Sequence, residues 1–442
     1  MAPLRSVSEL ASIIEHHTQA VEEGLKGTPE SEFSLAFGAP LQIQVPPSLE
    51  ATRGELLETI DELRARLLGP LGYLMATVLP TPVLTGVLHV LHAFDIASHV
   101  PLGPNAEISY EELGERCGLP EDDTRQILQA AIAFRIFAEV TPDVSVRHNA
   151  ASSNFAVPAM KDMLGLFVDE QCGGACKLVE SLQRFPGSGE PGHAAHVLAF
   201  REAKAIKEGK VVDRDIADPS KGLFDYMADD EERVARFRSA MGVSTKSLAY
   251  RASYFIDNLP WADQNQCPGT VADIGGAGGE ICQAILRAYP NVKKAYVLDL
   301  PEVVAGAKAP EDLEGRIEYE SYNFLAEKVT READVYVFRH IFHDWSDQYA
   351  AKILKNLVPA LKKGSKIWIS ELVLSDLSDR NHTKDQMQRG ADMLMKFGHN
   401  AKERSKRGWE TLLAAADERL RIASITRPDG AHDSVIEIVF DA

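Results

Sequence analysis

From residue 270 to the C-terminus, apolar strand candidates alternate with helical patterns, and this constrains the fold of the 442-residue chain more than any other feature. The candidates are TVADIGG (270–276), KAYVLDL (294–300), DVYVFRH (334–340), KIWISELV (366–373), LRIASITR (420–427) and SVIEIVF (434–440). Strands separated by a helix-length connection pair in parallel, because the chain must cross back over the sheet before the next strand begins. The pattern predicts an α/β fold on a doubly wound, mostly parallel sheet. Only PDGAHD (428–433) separates the last two candidates. That is too short for a crossover, so they are expected as an antiparallel hairpin at one edge.

The first candidate carries the most specific local signal. VADIGGAGGE (271–280) is an apolar strand running into a glycine-rich turn, and ICQAILRAY then reads as a helix. Glycines there let the backbone approach a ligand where a Cβ would collide. No register of these residues gives the G-x-G-x-x-G fingerprint of dinucleotide sites, and the Gly-Lys-Ser/Thr of a phosphate-binding loop is absent. What fits is acid-x-Gly-x-small-x-Gly, in Asp273, Gly275, Ala277 and Gly279. That is the pattern of S-adenosylmethionine (SAM) sites, in which the turn receives the methionine end. About twenty residues on, VLDLP ends the second strand with Asp299, and an acid there can accept both hydroxyls of a ribose. Together, and in this order, the two signals favour an adenosine-type cofactor over glycines that merely pack a loop.

The N-terminal part has a different texture. Residues 1–50 read as a weakly patterned arm, and Glu55–Leu68 as an amphipathic helix with Leu56, Ile60, Leu63 and Leu67 at helical spacing. Leu67 to Phe94 contains no Asp, Glu, Lys or Arg, which is long enough to raise a membrane span. Pro70, Pro80 and Pro82 cut it into short pieces, which suits a buried or inter-subunit helix better. ISYEELGERCGLPEDDTRQILQAAIAFRIF (108–137) reads helix, tight turn, helix, with strand-like VSVRH behind it as a possible wing. A DNA reader would present bases to phosphate, yet Glu121, Asp122 and Asp123 open its second helix and the chain carries a net charge of −18. Neither nucleic acid nor an anionic membrane is the expected partner. The beginning of the chain has no basic flank followed by an apolar run, so no signal peptide is expected. Five cysteines without a CxxC pair fit reduced thiols in a cytoplasmic protein.

RHIFHDWSD (339–347) holds two histidines three apart. If 334–340 is a strand, His340 and His343 need not share a face, and a metal pair would want a further ligand for which only His193, His196 and His399 are candidates. Imidazole also suits general-base work, its unperturbed pKa being about 6.5. Ser346 and Asp347 precede Ala350, Ile353, Leu354 and Leu357, an apolar face at helical spacing, so they are read as the start of a helix.

DIGGAGG, VLDLP, FRHIFHDWSD, ISELVL and AKERS follow one another in this order. On these motifs the chain, from about residue 80 onward, resembles the small-molecule O-methyltransferases of plants and fungi, the caffeate and flavonoid type, and most of all the fungal secondary-metabolism branch. The resemblance implies a class I SAM-dependent methyltransferase fold with an N-terminal winged-helix domain that interlocks two subunits, which would account for the uncharged 67–94 segment as dimer interface. The implied division is an arm (1–50), a winged-helix-like dimerisation domain (51–155) and a methyltransferase domain (156–442). Its implied catalytic base is His343, held by Glu371 and Glu403. SAM contacts carry over to Gly275, Gly276, Asp299, Leu300, Tyr322, Asn323, Phe324 and Arg339, and no metal is implied. Asp344 is expected to brace the site, Trp345 to pack in the core, and Phe167, Met241, Phe342, Met393 and Met395 to lie in pocket-lining segments. Ala277 replaces a glycine common in the family, and Asn323 an aspartate of the plant members. His340 is left without a chemical role.

The implied activity is methylation of a phenolic or enolic hydroxyl on an aromatic or polyketide-like natural product. A second reading keeps the scaffold and SAM but assigns pericyclisation or dehydration without methyl transfer, since fold alone does not determine chemistry. A third is a non-catalytic SAM-binding regulator. The intact set of His343, Glu371 and Glu403 favours the first.

Overall fold

The computed structural model describes residues 5–28, 31, 34–211, 215–216, 218–263, 265–375 and 382–441. They divide into two compact units, one of Met1–Gly173, Met227–Val243 and Asn381–Thr383, the other of Gly174–Tyr226, Ser244–Arg380 and Lys384–Ala442. The chain therefore passes between the units more than once, where the sequence suggests a simple succession.

In the first unit, a small sheet of β1 (Ile108–Ser109), β2 (Ala138–Glu139) and β3 (Ser145–Arg147) runs in the order β1-β3-β2, all antiparallel. It closes against the helices Tyr110–Cys117 and Glu121–Ala133, which are separated by Gly118 in the left-handed conformation. Leu113, Leu128, Phe137 and Val146 form its core with Val87 and Leu91. Glu121 and Asp122 ion-pair with Arg125 on the same helix, and acids in a first turn also complement the helix dipole.

The arm is not featureless. Val7–Leu25 is a 19-residue helix that buries Leu10, Val21 and Leu25 and packs on the helix that follows. Ser6 and Glu9 form a reciprocal capping box at its start, a signature that was readable in the sequence. The next helix, Pro47–Val78, kinks at Gly69 (φ 67°, ψ 171°) ahead of Pro70, as a missing N–H requires. Pro80 and Pro82 behave differently: Leu79 is itself helical, and both prolines occupy the first turn of Pro80–Ala93, where an N–H has no intrahelical partner anyway. Leu67, Leu71, Leu74, Val78 and Leu79 are exposed. By length and composition, Ser48–Ala93 is long and apolar enough to cross a membrane.

The second unit is organised by seven strands: β4 (Thr270–Ile274), β5 (Lys294–Asp299), β6 (Ile317–Ser321), β7 (Val335–Arg339), β8 (Lys366–Glu371), β11 (Leu420–Thr426) and β12 (Ser434–Phe440). Two short strands, β9 (Val373–Leu374) and β10 (Arg404–Ser405), pair in parallel beside them. The large sheet has the order β11-β12-β8-β7-β4-β5-β6. β6, β5, β4, β7 and β8 are parallel, and β12 and β11 add an antiparallel hairpin at one edge, as the short PDGAHD connection requires. Successive residues feed opposite cores. Ala272, Tyr336, Phe338 and Ile369 belong to one, Val271, Val335, Val337 and Trp368 to the other. Strands buried on both faces read as continuous apolar runs, which is why four of these were legible. β6, IEYES, does not read as an apolar run, because an edge strand carries polar residues.

Candidate active site

All expected cofactor residues lie at the C-terminal ends of the parallel strands, where the loops leave an open α/β sheet and ligands bind. At the end of β4 the chain turns through Gly275 (φ 74°), and a Cβ there would come within 2.5 Å of the Ile341 side chain. A Cβ on Gly276 would lie 2.7 Å from the buried carboxyl of Asp273. The cradle therefore needs hydrogen at both positions. Ala277 adopts φ 47°, a left-handed conformation that disfavours any side chain. Its N–H donates to Asp299 Oδ2 at 2.9 Å, and the Leu300 N–H donates to Oδ1 at 2.7 Å. Asp299 thus fixes the glycine turn from the neighbouring strand end. Each of its oxygens retains acceptor capacity for a ribose hydroxyl.

Burial pushes the Asp273 carboxyl up to about 7, with the charge of Asp299 adding to the effect and Arg339 opposing it. After β6 the roles separate. The Tyr322 side chain lies in the core with its hydroxyl on the Glu327 carbonyl, so that only its backbone remains for a ligand. Asn323 Oδ1 accepts from the N–H groups of Leu325 and Ala326, closing a turn. Phe324 stands edge-on to Trp345 at 5.8 Å and borders the space above Gly275. Arg339 ends β7 and donates to the Tyr250 carbonyl at 2.7 Å.

His343 follows in a short 3₁₀ turn, Phe342–Asp344. Its Nδ1 is 2.9 Å from Glu403 Oε1, which arrives just ahead of β10. That leaves Nε2 as the nitrogen able to meet a substrate, with Asp344 Oδ1 3.7 Å away. Glu371, expected to hold the ring, instead holds the loop: its Oε1 accepts from the N–H groups of Ile341 and Phe342 at 3.0 and 2.5 Å. Burial alone would lower the imidazole pKa. Asp344, then Glu403, then Glu371 outweigh it and raise His343 to about 10. Burial also lifts Glu371 to about 7, helped by Glu403 and opposed by His343.

The fold also brings together residues that sequence reasoning left apart. His399 Nε2 lies 3.4 Å from Asp344 Oδ1, so Asp344 stands between two imidazoles. His340 Nε2 is 2.6 Å from Asp433 Oδ2 in the β11–β12 turn. Of the other metal candidates, His193 is bonded to Ser188 and stacked on Phe185, and His196 is packed against Gly174. Among the described residues, no group of three or more His, Cys, Asp or Glu is arranged to hold a metal. Ser346 precedes the helix Asp347–Leu357, but its hydroxyl bonds the Gly189 carbonyl and does not cap the helix. Phe342 is fully buried core, Trp345 packs against that core, and Phe167 and Met241 lie in the first unit. Met393, with Ser188, Ser346, Lys396 and Lys402, lines a cavity of about 570 Å³.

Residues 209–417 match the O-methyltransferase domain. The chain is 30% identical over 439 residues to O-methyltransferase kk1A of Curvularia clavata, covering 99% of this chain and 98% of that one. It is 28% identical to the grayanic acid biosynthesis cluster O-methyltransferase of Cladonia grayi, covering 99% of this chain and 88% of that protein. Among solved structures, OxaC with SAH and oxaline superposes with a TM-score of 0.71 at 19% identity, over 98% of this chain and 99% of that one. LepI with SAM gives 0.69 at 21% identity, over 98% of this chain and all of that one. At such identities these two structures speak for the fold. With kk1A matched over nearly the full length of both chains, the protein belongs to the O-methyltransferase family and has the class I SAM-dependent methyltransferase fold.

Proposed function

We propose that the protein methylates a phenolic or enolic hydroxyl of a small natural product of secondary metabolism, with His343 as general base. The observation that carries this reading is the His343–Glu403 contact, which commits Nδ1 and leaves Nε2 for the substrate. SAM, when bound, supplies an electrophilic methyl group on a sulfonium; the residues suited to hold it are Gly275, Gly276, Asp299, Leu300, Asn323, Phe324, Arg339 and the backbone of Tyr322. The missing Cβ atoms of the two glycines and the unsaturated oxygens of Asp299 fit such a ligand.

A free phenol with a pKa near 10 is only about one part in a thousand ionised at pH 7. His343 is held near the same value, so its neutral form takes the phenol proton with little net free-energy change, and the rate rises with pH as that form is populated. Glu403 receives the charge created on Nδ1–H, and Glu371 keeps the loop backbone from moving as the ring charges. A base so placed contributes ~10²–10⁴ in rate. The helix–turn–helix unit with its small sheet serves as a winged-helix dimerisation domain in this proposal. The exposed apolar face between Leu67 and Leu79 then meets a second copy, and the protein works in the cytoplasm.

The test is incubation with phenolic or polyketide hydroxyl compounds and methyl-labelled SAM, using a His343→Ala variant as control. Labelled product from the native protein and a loss of ~10²-fold or more in the variant are expected. Turnover without label or S-adenosylhomocysteine would point to a pericyclase or dehydratase instead.

A further inference from the structure

His340, which the sequence leaves without a role, occupies a position that the chain sustains at a conformational cost. Its backbone is left-handed (φ 51°), uncommon for a residue with a side chain. Its ring lies nearly parallel to that of His343, with centroids 5.6 Å apart and 25° between planes. The far nitrogen, Nε2, is bonded to Asp433 at 2.6 Å. Asp433 is anchored in turn by His432 Nδ1 at 3.0 Å, and Tyr250 stacks on His432 at 4.4 Å while standing edge-on to His340. Burial would raise the Asp433 carboxyl, yet His340 and His432 hold it well below the ordinary range. His343 meanwhile faces Asp344 from its own turn, with Glu371 from β8, Glu403 from ahead of β10, and His399 across Asp344. His340 adds to these charged neighbours a ring whose plane lies close to that of His343, offset at that distance.

We infer that His340, clamped by Asp433, is a positioning residue that fixes the ring plane of His343, so that Nε2 points at the substrate while Nδ1 stays on Glu403. This rests on the reading of His343 as the base. Rotation of an imidazole about its last side-chain bond is otherwise soft, and loss of alignment between base and hydroxyl lowers rate without changing how substrate is held. Asp433 reaches His343 by way of His340, its other partners being His432 and the Ser370 hydroxyl, so the two should behave as one unit toward His343.

The test uses His340→Asn, Asp433→Asn and the double variant. Asparagine adopts the left-handed conformation readily, so the backbone is kept; its amide stops short of the place of Nε2, so the substitution removes the ring together with its bond to Asp433. Expected for His340→Asn is a kcat about ten-fold lower with KM for SAM and phenol within about two-fold. Asp433→Asn should lower kcat in the same direction, and the double variant should be no slower than His340→Asn. A readout independent of turnover is the low-field proton resonance of the His343 Nδ1–H on Glu403, which should broaden or move in both single variants. Additive losses, or native kcat together with an unchanged resonance, would overturn the inference. Absence of methyl transfer in the native enzyme would instead sink the assignment of His343 as base, and the resonance would still decide whether His340 orients the ring.

Discussion

Replacing Glu403 by glutamine separates the two jobs that its carboxylate performs on His343. The Oε1–Nδ1 contact is 2.9 Å and the carboxylate is buried, so the amide keeps the shape but removes the charge. A hydrogen bond to a charged partner is worth about 1.5–3 kcal/mol and a neutral one about 1, a difference of roughly 0.5–2 kcal/mol. At about 1.4 kcal/mol per pKa unit, the imidazole pKa should fall by about one pH unit from its native value near 10. The sign follows from what a base requires. Below its pKa His343 is protonated and idle, so log kcat/KM for a phenol should rise with unit slope across the neutral range in the native enzyme. In Glu403→Gln that rising limb moves about one unit toward acid, while the rate at high pH falls by up to ~10-fold because the ring is a weaker base. Below about pH 8 both profiles rise with the same slope, so the ratio of the two rates is constant there, and the deficit grows only above about pH 8.5 as the variant levels off first. Methyl-transfer rates measured from pH 6 to 9.5 under subsaturating phenol decide the matter. A limb that stays at the native pH, with only a uniform drop in rate, would refute the claim that Glu403 stabilises the imidazolium. The same raised pKa gives stability that is full below about 6.5 and is lost as pH rises through about 10.

Further outcomes follow from the cradle. Gly276→Ala puts a methyl 2.7 Å from the buried Asp273 carboxyl; SAM affinity by calorimetry should fall ten-fold or more, and an unchanged Kd would show that the turn can yield. Asp299→Asn leaves only one acceptor oxygen for the Ala277 and Leu300 N–H groups; a loss of ~10–10² in SAM affinity is expected, with the melting temperature nearly native. Ala277→Gly relieves the φ of 47° and should be neutral to stabilising by about 0.5 kcal/mol, whereas Ala277→Val should cost about 2 kcal/mol or more. Equal melting temperatures for those two variants would count against strain at this turn.

Local pattern and tertiary convergence contributed different parts of this site. The parallel strands were legible because burial on both faces writes a continuous apolar run into each, and the glycine turn because only a missing Cβ admits the backbone geometry of Gly275 and Gly276. The edge strand IEYES was not legible for the converse reason, since a half-solvated strand mixes polar with apolar residues, whereas the first helix did carry a signal in its Ser6–Glu9 capping box. His343, Glu371 and Glu403 were reachable through the family resemblance, but which glutamate touches the ring was not. Glu371 ends a strand adjacent to β7 and points at the loop amides, whereas Glu403, sixty positions beyond His343, reaches the imidazole. His340 with Asp433 and Asp344 with His399 left no local trace at all. Each pair joins residues from distant segments that become neighbours only when β12 docks antiparallel on β8, or when the helix ending at His399 closes on the turn after β7. Residue type and spacing along a strand are properties of the chain, whereas the distance between two side chains on different elements depends on register and packing. The sequence by itself determined most of the sheet, the glycine turn and an imidazole just beyond a strand end; the tertiary structure alone decided which charges surround that imidazole.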